Sequence, residues 1–354
     1  MNTSSWKSVT HRSAWRRKFP TWRRFTGRPD TFRLLFTFYQ REDTYSLALA
    51  ALSAYVKREI PDVQVSLLAV SRGDDVGSYV CKAERIKPDL IAVSAMDPTW
   101  LPLLPYLEAL KRSVSDTPVI VGGYRAIFSS AETLAHPAVD YVCVGDGEIP
   151  LMSVINRIRG VSDHRSYVGP GLPGLWEKKI SGEILKSPPV LSEDLESMPF
   201  PDYTIFEQNG QIRWLSRHAI ESKTLTTMPV MSGRGCPYRC TYCSNTSLLD
   251  LFGQAKLLRK YNPDGLIDEL ARLRDRYDVQ FFQFMDETFT FDKKHAYRLM
   301  ELYRDKVRLP FSCFARVEQM EEEFCRVAAL FPYQPKSVRS GLQMFKAKPS
   351  SSGR

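Results

Sequence analysis

Five short apolar runs recur along the first 145 residues: FRLLFTFY (32–39), VQVSLLAV (63–70), LIAVSAM (90–96), PVIVGG (118–123) and VDYVCVG (139–145). They are nearly continuous where a half-exposed strand would alternate, the pattern of strands buried on both faces. Between them lie YSLALAALSAYVKRE, DDVGSYVCKAERIK and WLPLLPYLEALKRS, each long enough for a crossover helix, and a further helix begins near Glu148. Pro102 and Pro105 leave the start of the third helix open. Strand and helix in this alternation require a mostly parallel sheet with helices on both faces, so the fold class is α/β and doubly wound, Rossmann-like.

The rhythm breaks at residue 161. Proline and glycine recur every few residues in GPGLPGLWEKKISGEILKSPP, with a hairpin expected to turn at Ser181-Gly182, and LESMPFPDYTIF follows. From 229 strands and helices resume. MPVMSGRG reads as a short strand, PDGLIDELARLRDRY as an amphipathic helix and QFFQFMDETFTF as a strand ending in acids. DKKHAYRLMELYRDKV is a second helix with Asp292 as its N-cap, LPFSCFARVE a third strand, and EQMEEEFCRVAALF starts a third helix. The remaining residues have no apolar periodicity and read as disordered. The expected organisation is a basic disordered tail (1–30), an α/β domain (31–160), a linker with a hairpin (161–228), a second βα domain (229–330) and a disordered tail (331–354).

The net charge of +9 is concentrated at the two ends and leaves the centre mildly acidic, which argues against a nucleic-acid-binding face. No run of about 18 apolar residues exists, so no membrane span is expected, and the N-terminus lacks the apolar core of a secretory signal. Seven cysteines, an odd number, do not read as a disulfide framework, and a reducing cytoplasm fits best. Cys143 and Cys313 lie in apolar runs, where a buried inert thiol is the usual outcome.

Three of the seven cysteines crowd into SGRGCPYRCTYCSN (232–245), as Cys236-x3-Cys240-x2-Cys243. Thiolates so spaced are usually metal ligands. A closed zinc site wants four ligands, and neither His218 nor His295 is near in sequence. An iron–sulfur cubane held by three thiolates is the better solution, because it leaves one iron open to a further ligand; zinc and pure electron transfer remain the alternatives. Gly233 and Gly235 let the backbone wrap closely, and Pro237 stiffens the loop.

This stretch, with the aromatic Tyr242 before the last cysteine, resembles the signature of the radical S-adenosylmethionine (SAM) superfamily. The resemblance implies a 4Fe-4S cluster on Cys236, Cys240 and Cys243, with SAM chelating the open iron and Tyr242 near the adenine. It also implies SAM contacts from Asp286 and Glu287 at the end of the second barrel strand, and from Arg316 after the third. Acids at a strand end often cap the next helix instead. Arginine suits a carboxylate bidentately, and a surface ion pair is the plainer reading of Arg316. An electron donor such as flavodoxin or ferredoxin and a small-molecule substrate are the implied partners.

A doubly wound sheet binds ligands at the carboxyl ends of its strands, near the topological switch point. The G-x-G-x-x-G fingerprint is absent there, which disfavours nicotinamide. Placed before the cysteine triplet, Ser94, Gly122-Gly123 and Gly145-Asp146-Gly147-Glu148 resemble the cobalamin-binding domain of cobalamin-dependent radical SAM proteins, as does MPFPDYTIF in the linker. The resemblance implies cobalamin against Ser94, Gly122, Gly123, Gly145, Gly147 and Glu148. The Asp-x-His-x-x-Gly motif is missing, so cobalamin would bind base-off without a protein imidazole. A degenerate domain that binds nothing is the alternative.

The implied activity is reductive cleavage of SAM to a 5′-deoxyadenosyl radical, with methyl transfer to an unactivated carbon as the commonest outcome. The rivals are a radical SAM protein without cobalamin and a remnant that only binds a cluster. The family's partial barrel has about six βα units and three are legible here, so the barrel is expected to be truncated, with its last strand an open edge.

Overall fold

The computed structural model describes residues 31–41, 45–161, 171–179, 181–192, 194–208, 211–212, 216–220, 223–319 and 343–347. The expected N-terminal tail and the expected helix beginning EQMEEEF lie outside the described residues, save the first residues of the latter.

The first half is built from β1 (Arg33–Tyr39), α1 (Leu47–Glu59), β2 (Gln64–Val70), α2 (Val76–Ile86), β3 (Leu90–Ser94), α3 (Asp97–Ser113), β4 (Val119–Gly122), α4 (Tyr124–Phe128), α5 (Ser130–Ala135), β5 (Tyr141–Cys143) and α6 (Glu148–Arg159). The five strands run parallel in the order β2-β1-β3-β4-β5. Their continuous apolar character has a simple cause. Leu34, Phe36 and Phe38 enter one core with Leu90 and Ala92, while Leu35 enters the core on the opposite face with Ile91 and Val93. Both faces of the sheet are therefore dry. Helix α3 starts at Asp97, ahead of WLPLL, and carries Pro102 and Pro105 inside it.

The linker is more integrated than its composition suggests. β6 (Leu175–Lys178) pairs antiparallel with β5, and β7 (Ile184–Lys186) with β6, extending the sheet to seven strands. The hairpin turns through Ser181-Gly182 as expected, with Lys179 N–H donating to the Glu183 carbonyl at 2.8 Å. A short 3₁₀ turn (Tyr203–Phe206) and a small bridge, β8 (Glu207–Gln208) with β9 (Gln211–Ile212), lead into the second half.

There, β10 (Ser216–Ile220), β11 (Lys223–Val230), β12 (Gly233–Arg234), α7 (Asn245–Phe252), α8 (Gln254–Leu257), β13 (Arg259–Lys260), α9 (Pro263–Tyr277), β14 (Phe281–Phe284), α10 (Lys293–Lys306), β15 (Phe311–Ala315) and β16 (Gln343–Ala347) follow in order. β11, β14 and β15 are parallel, the three strands expected of the second domain. α9 and α10 pack on them through Ile267, Leu270, Leu299 and Tyr303, with the Tyr303 ring 5.0 Å from Phe311. Asp292 caps α10 as expected, accepting from His295 N–H at 3.0 Å. One expectation is corrected: Gln343–Ala347 is a strand paired antiparallel with β15, so these five residues are not irregular and the β15 edge is covered.

Candidate active site between the two sheets

The order β2-β1-β3-β4-β5 puts the switch point between β1 and β3, where the carboxyl ends of the strands open a crevice. A cleft of about 270 Å³ lies there. Ser94, Gly122, Gly123, Gly145, Gly147 and Glu148 all reach its wall, and Gly235 and Glu287 of the second half close it from the other side. Among the described residues no histidine lines it.

The protein's own backbone accounts for two of these glycines. Gly123 has φ +88°, and a Cβ there would sit 2.6 Å from the Ala95 carbonyl oxygen; Gly145 has φ +120°, and its Cβ would fall 2.0 Å from that of Val190. Both are glycine because the protein's own backbone crowds them. Gly122 alone of this pair has room, its Cβ position lying 3.9 Å from the nearest atoms. Glu148 lines the cleft and is also held by the protein itself. Its carboxylate is buried, accepts from Arg234 Nη2 at 2.7 Å and from Ser192 Oγ at 3.2 Å, and is therefore consumed by protein donors.

Arg234 and its surroundings were not legible in the sequence. Arg234 also meets Asp146 at 3.2 Å, and Arg259 donates to the same carboxylate and to the Ser192 carbonyl. Burial alone would raise the Asp146 carboxyl. The two guanidinium groups and the Ser192 N–H outweigh that, and hold it below its ordinary value. Arg234 sits between two glycines in SGRGC, and its acidic partners are 86 and more residues upstream, so only the fold brings them together.

The cysteine loop begins at β12, which pairs antiparallel with β13. Cys236 is buried, with its sulfur 3.2 Å from Thr288 Oγ1; Cys240 is half-buried, with Arg316 Nη1 3.4 Å from its sulfur; Cys243 is exposed. The buried amide of Asn245 donates to the carbonyls of Cys236 (2.8 Å) and Tyr238 (2.7 Å) and pins the loop from inside. Tyr242 is 76% exposed. All three thiols are free. Among the described residues, no three or more Cys, His, Asp or Glu side chains stand close enough together to hold a metal ion. The structure places the three cysteines on one loop. The donor set fits a thiolate-held cluster: three thiols outside any disulfide stand on one pinned loop, with a guanidinium against one sulfur.

The two acids after β14 part company. Asp286 is buried and accepts from Ser232 N–H at 2.9 Å, Ser232 Oγ at 2.6 Å and Lys260 Nζ at 3.1 Å, an internal ion pair. Glu287 opens to the cleft and accepts from Gly235 N–H at 3.2 Å. Loss of water between the walls, followed by the Asp286 charge, pushes its carboxyl above the ordinary value. Arg316 stacks 4.2 Å over the Tyr238 ring and pairs with Glu318 at 3.0 Å, so the ion-pair reading holds for it together with its place beside Cys240.

Residues 39–155 match the family described as the B12 binding domain. The matched stretch runs from β1 into α6 and carries the glycine side of the cleft. Against solved structures, the chain superposes on the cobalamin-dependent S-adenosylmethionine radical enzyme OxsB with aqua-cobalamin and S-adenosylmethionine bound, at a TM-score of 0.64 and 15% identity, covering 83% of this chain and 40% of that one. An uncharacterized methyltransferase, PH0819 of Pyrococcus horikoshii, is 24% identical over 285 residues, 79% of this chain and 57% of that protein. The cytidylyl-2-hydroxyethylphosphonate methyltransferase of Streptomyces wedmorensis is 27% identical over 64% of this chain and 44% of its own. The chain spans about half the length of these relatives. In fold the chain is similar to the cobalamin-dependent S-adenosylmethionine radical enzyme OxsB.

Proposed function

We propose that the chain is a cobalamin-dependent radical SAM enzyme that methylates an unactivated carbon of a small-molecule substrate. Cobalamin would lie in the cleft of the B12-binding domain against Ser94, Gly122 and the backbone of Gly145 and Gly147. Cys236, Cys240 and Cys243 would hold a 4Fe-4S cluster, and Tyr242, Glu287 and Arg316 would contact SAM. When bound, these groups supply an electron that cleaves SAM to a 5′-deoxyadenosyl radical, and a methyl group carried by cobalt. The protein's own part is to pin the loop through Asn245, to set charge beside Cys240 through Arg316, and to keep both sites in one cleft that excludes water. A flavodoxin or ferredoxin is the proposed electron donor. No described helix is long and apolar enough to cross a membrane.

One observation carries the reading: the glycine loops of the B12-binding domain and the Gly235–Glu287 side of the cysteine loop line the same cleft. Anaerobic reconstitution tests it. Wild-type protein is expected to hold about four irons and four sulfides, to bind hydroxocobalamin with a base-off spectrum, and to release 5′-deoxyadenosine from SAM under reduction. Cys236→Ala should lose the iron. A single zinc without acid-labile sulfide, in place of the cluster, overturns the proposal, and a cluster without a cobalamin spectrum removes its cobalamin half.

A further inference from the structure

Four charges close the boundary between the two halves. Asp146 comes from the loop after β5, Glu148 from the start of α6, Arg234 from β12 and Arg259 from β13. Arg259 and Glu148 have side-chain exposures of 6% and 4%, and Asp146 and Arg234 only 16% and 20%. Ser192 ties them together, its N–H donating to Asp146 (3.0 Å), its hydroxyl to Glu148 (3.2 Å) and its carbonyl accepting from Arg259 (2.6 Å).

The register gives this network a job beyond holding two surfaces together. Arg234 and Arg259 face each other directly across the antiparallel β12–β13 pair. Like charges so placed repel. Both reach the Asp146 carboxylate, which comes from the other half of the molecule. The base of the cysteine loop therefore closes on a counter-charge that the B12-binding domain supplies. Two residues after Arg234 the chain reaches Cys236, and Gly235 between them donates to Glu287. On the other side, Gly145 and Gly147, which flank Asp146, line the cleft.

We propose that Arg234 is a positioning residue that couples the two cofactor sites: filling the cleft beside Gly145–Glu148 orders the base of the cysteine loop, and a ligated cysteine loop tightens the cleft. The proposal rests on the function given above. Its physical basis is that a site whose charged boundary is already fixed has less ordering left to lose when it binds. Coupling of this kind is reciprocal by thermodynamic necessity.

The test compares hydroxocobalamin titrations, followed by visible absorbance, of cluster-free protein and of anaerobically reconstituted protein. Wild type is expected to bind at least about fivefold tighter in the reconstituted state, the low end of ordinary coupling. Reciprocally, loss of iron to a chelator should slow by a similar factor when cobalamin is bound. Arg234→Lys keeps the charge but not the fork that reaches two carboxylates, and should reduce the factor. The double variant Arg234→Met/Glu148→Gln removes the pair together and should bring it to about one, with iron, sulfide and corrinoid contents retained. Arg272→Met, at an exposed ion pair with Glu269, should leave it unchanged. Equal affinities in the two wild-type states overturn the inference without any variant, as does a double variant with undiminished coupling. A wild-type protein that takes up neither cofactor instead overturns the functional reading.

Discussion

Asp286 and Glu287 are adjacent, both acidic and both at the end of one strand, yet their environments give them different work. Asp286 is buried against Lys260, whose side chain is itself 12% exposed, while Glu287 looks into the cleft. Asp286→Asn strands a buried ammonium and is expected to cost about 3 kcal/mol, in keeping with removal of one partner of a buried ion pair. Glu287→Gln, at the cleft wall, should change stability by less than about 0.5 kcal/mol and weaken SAM binding instead. Urea denaturation of the two variants, with equilibrium binding of SAM to reconstituted protein, separates these roles. A stable Asp286→Asn protein with lost SAM binding would reverse the assignment. Cys143 and Cys313 follow the same logic of environment: burial pushes both thiols up, away from the thiolate that a ligand or nucleophile requires, as their apolar sequence context predicts.

At the level of elements, the loop between β5 and α6 is tightly constrained by its own backbone. Gly145→Ala combines a left-handed φ with a Cβ 2.0 Å from the Val190 carbonyl oxygen, so backbone must move and the cost is expected to be about 3 kcal/mol or more. Gly182→Ala, at φ +85° in the β6–β7 turn with open space around it, pays only the conformational term of about 1–2 kcal/mol. Thermal melts of the two variants should rank in that order, and equal losses would mean that the Val190 contact is soft. The same contrast explains what could be read in advance. β1 to β5 were legible because strands covered on both faces are mostly apolar, and α10 because its cap is local. The β6–β7 hairpin was read from its turn, but its pairing to β5 was not, nor was β10, since strands that pair at a sheet edge leave one face free to be polar. Helix α7, with its start held by Asn245 reaching back to Cys236 and Tyr238, was hidden inside a stretch that the cysteines dominated. β16 joins through backbone bonds, which leave no pattern in side chains. In the site, the cysteine spacing is a local signal and was readable. The Asp146–Arg259 pair spans 113 residues and leaves no local trace.

Taken as a whole, the molecule is held across its two sheets by more than the four buried charges. Ala50 of α1 lies in the same core as Tyr203, Phe206 and Met228, and Phe200 of the linker packs 5.2 Å from Tyr261. Asp202 anchors that linker to α1. Its N–H donates to the Ala50 carbonyl at 2.9 Å, and its carboxylate accepts from Ser53 (2.7 Å), Lys57 (2.6 Å) and Thr204 N–H (3.0 Å). Burial would raise this carboxyl, but the donors from Lys57, Thr204 and Ser53 together hold it below its ordinary value. A carboxylate with a lowered folded value favours folding when charged. Its contribution is complete above the ordinary aspartate range, near pH 4, and is lost as the pH falls through the lowered value. Asp202→Asn should therefore melt below wild type by a constant margin between about pH 6 and 8. The margin should narrow progressively as the pH is lowered below about 4, because the wild-type aspartate then becomes as neutral as the amide. A margin that stays the same down to acid would assign the effect to the shape of the side chain. The linker would then be docked by its hydrogen bonds and aromatic packing, and not by the charge.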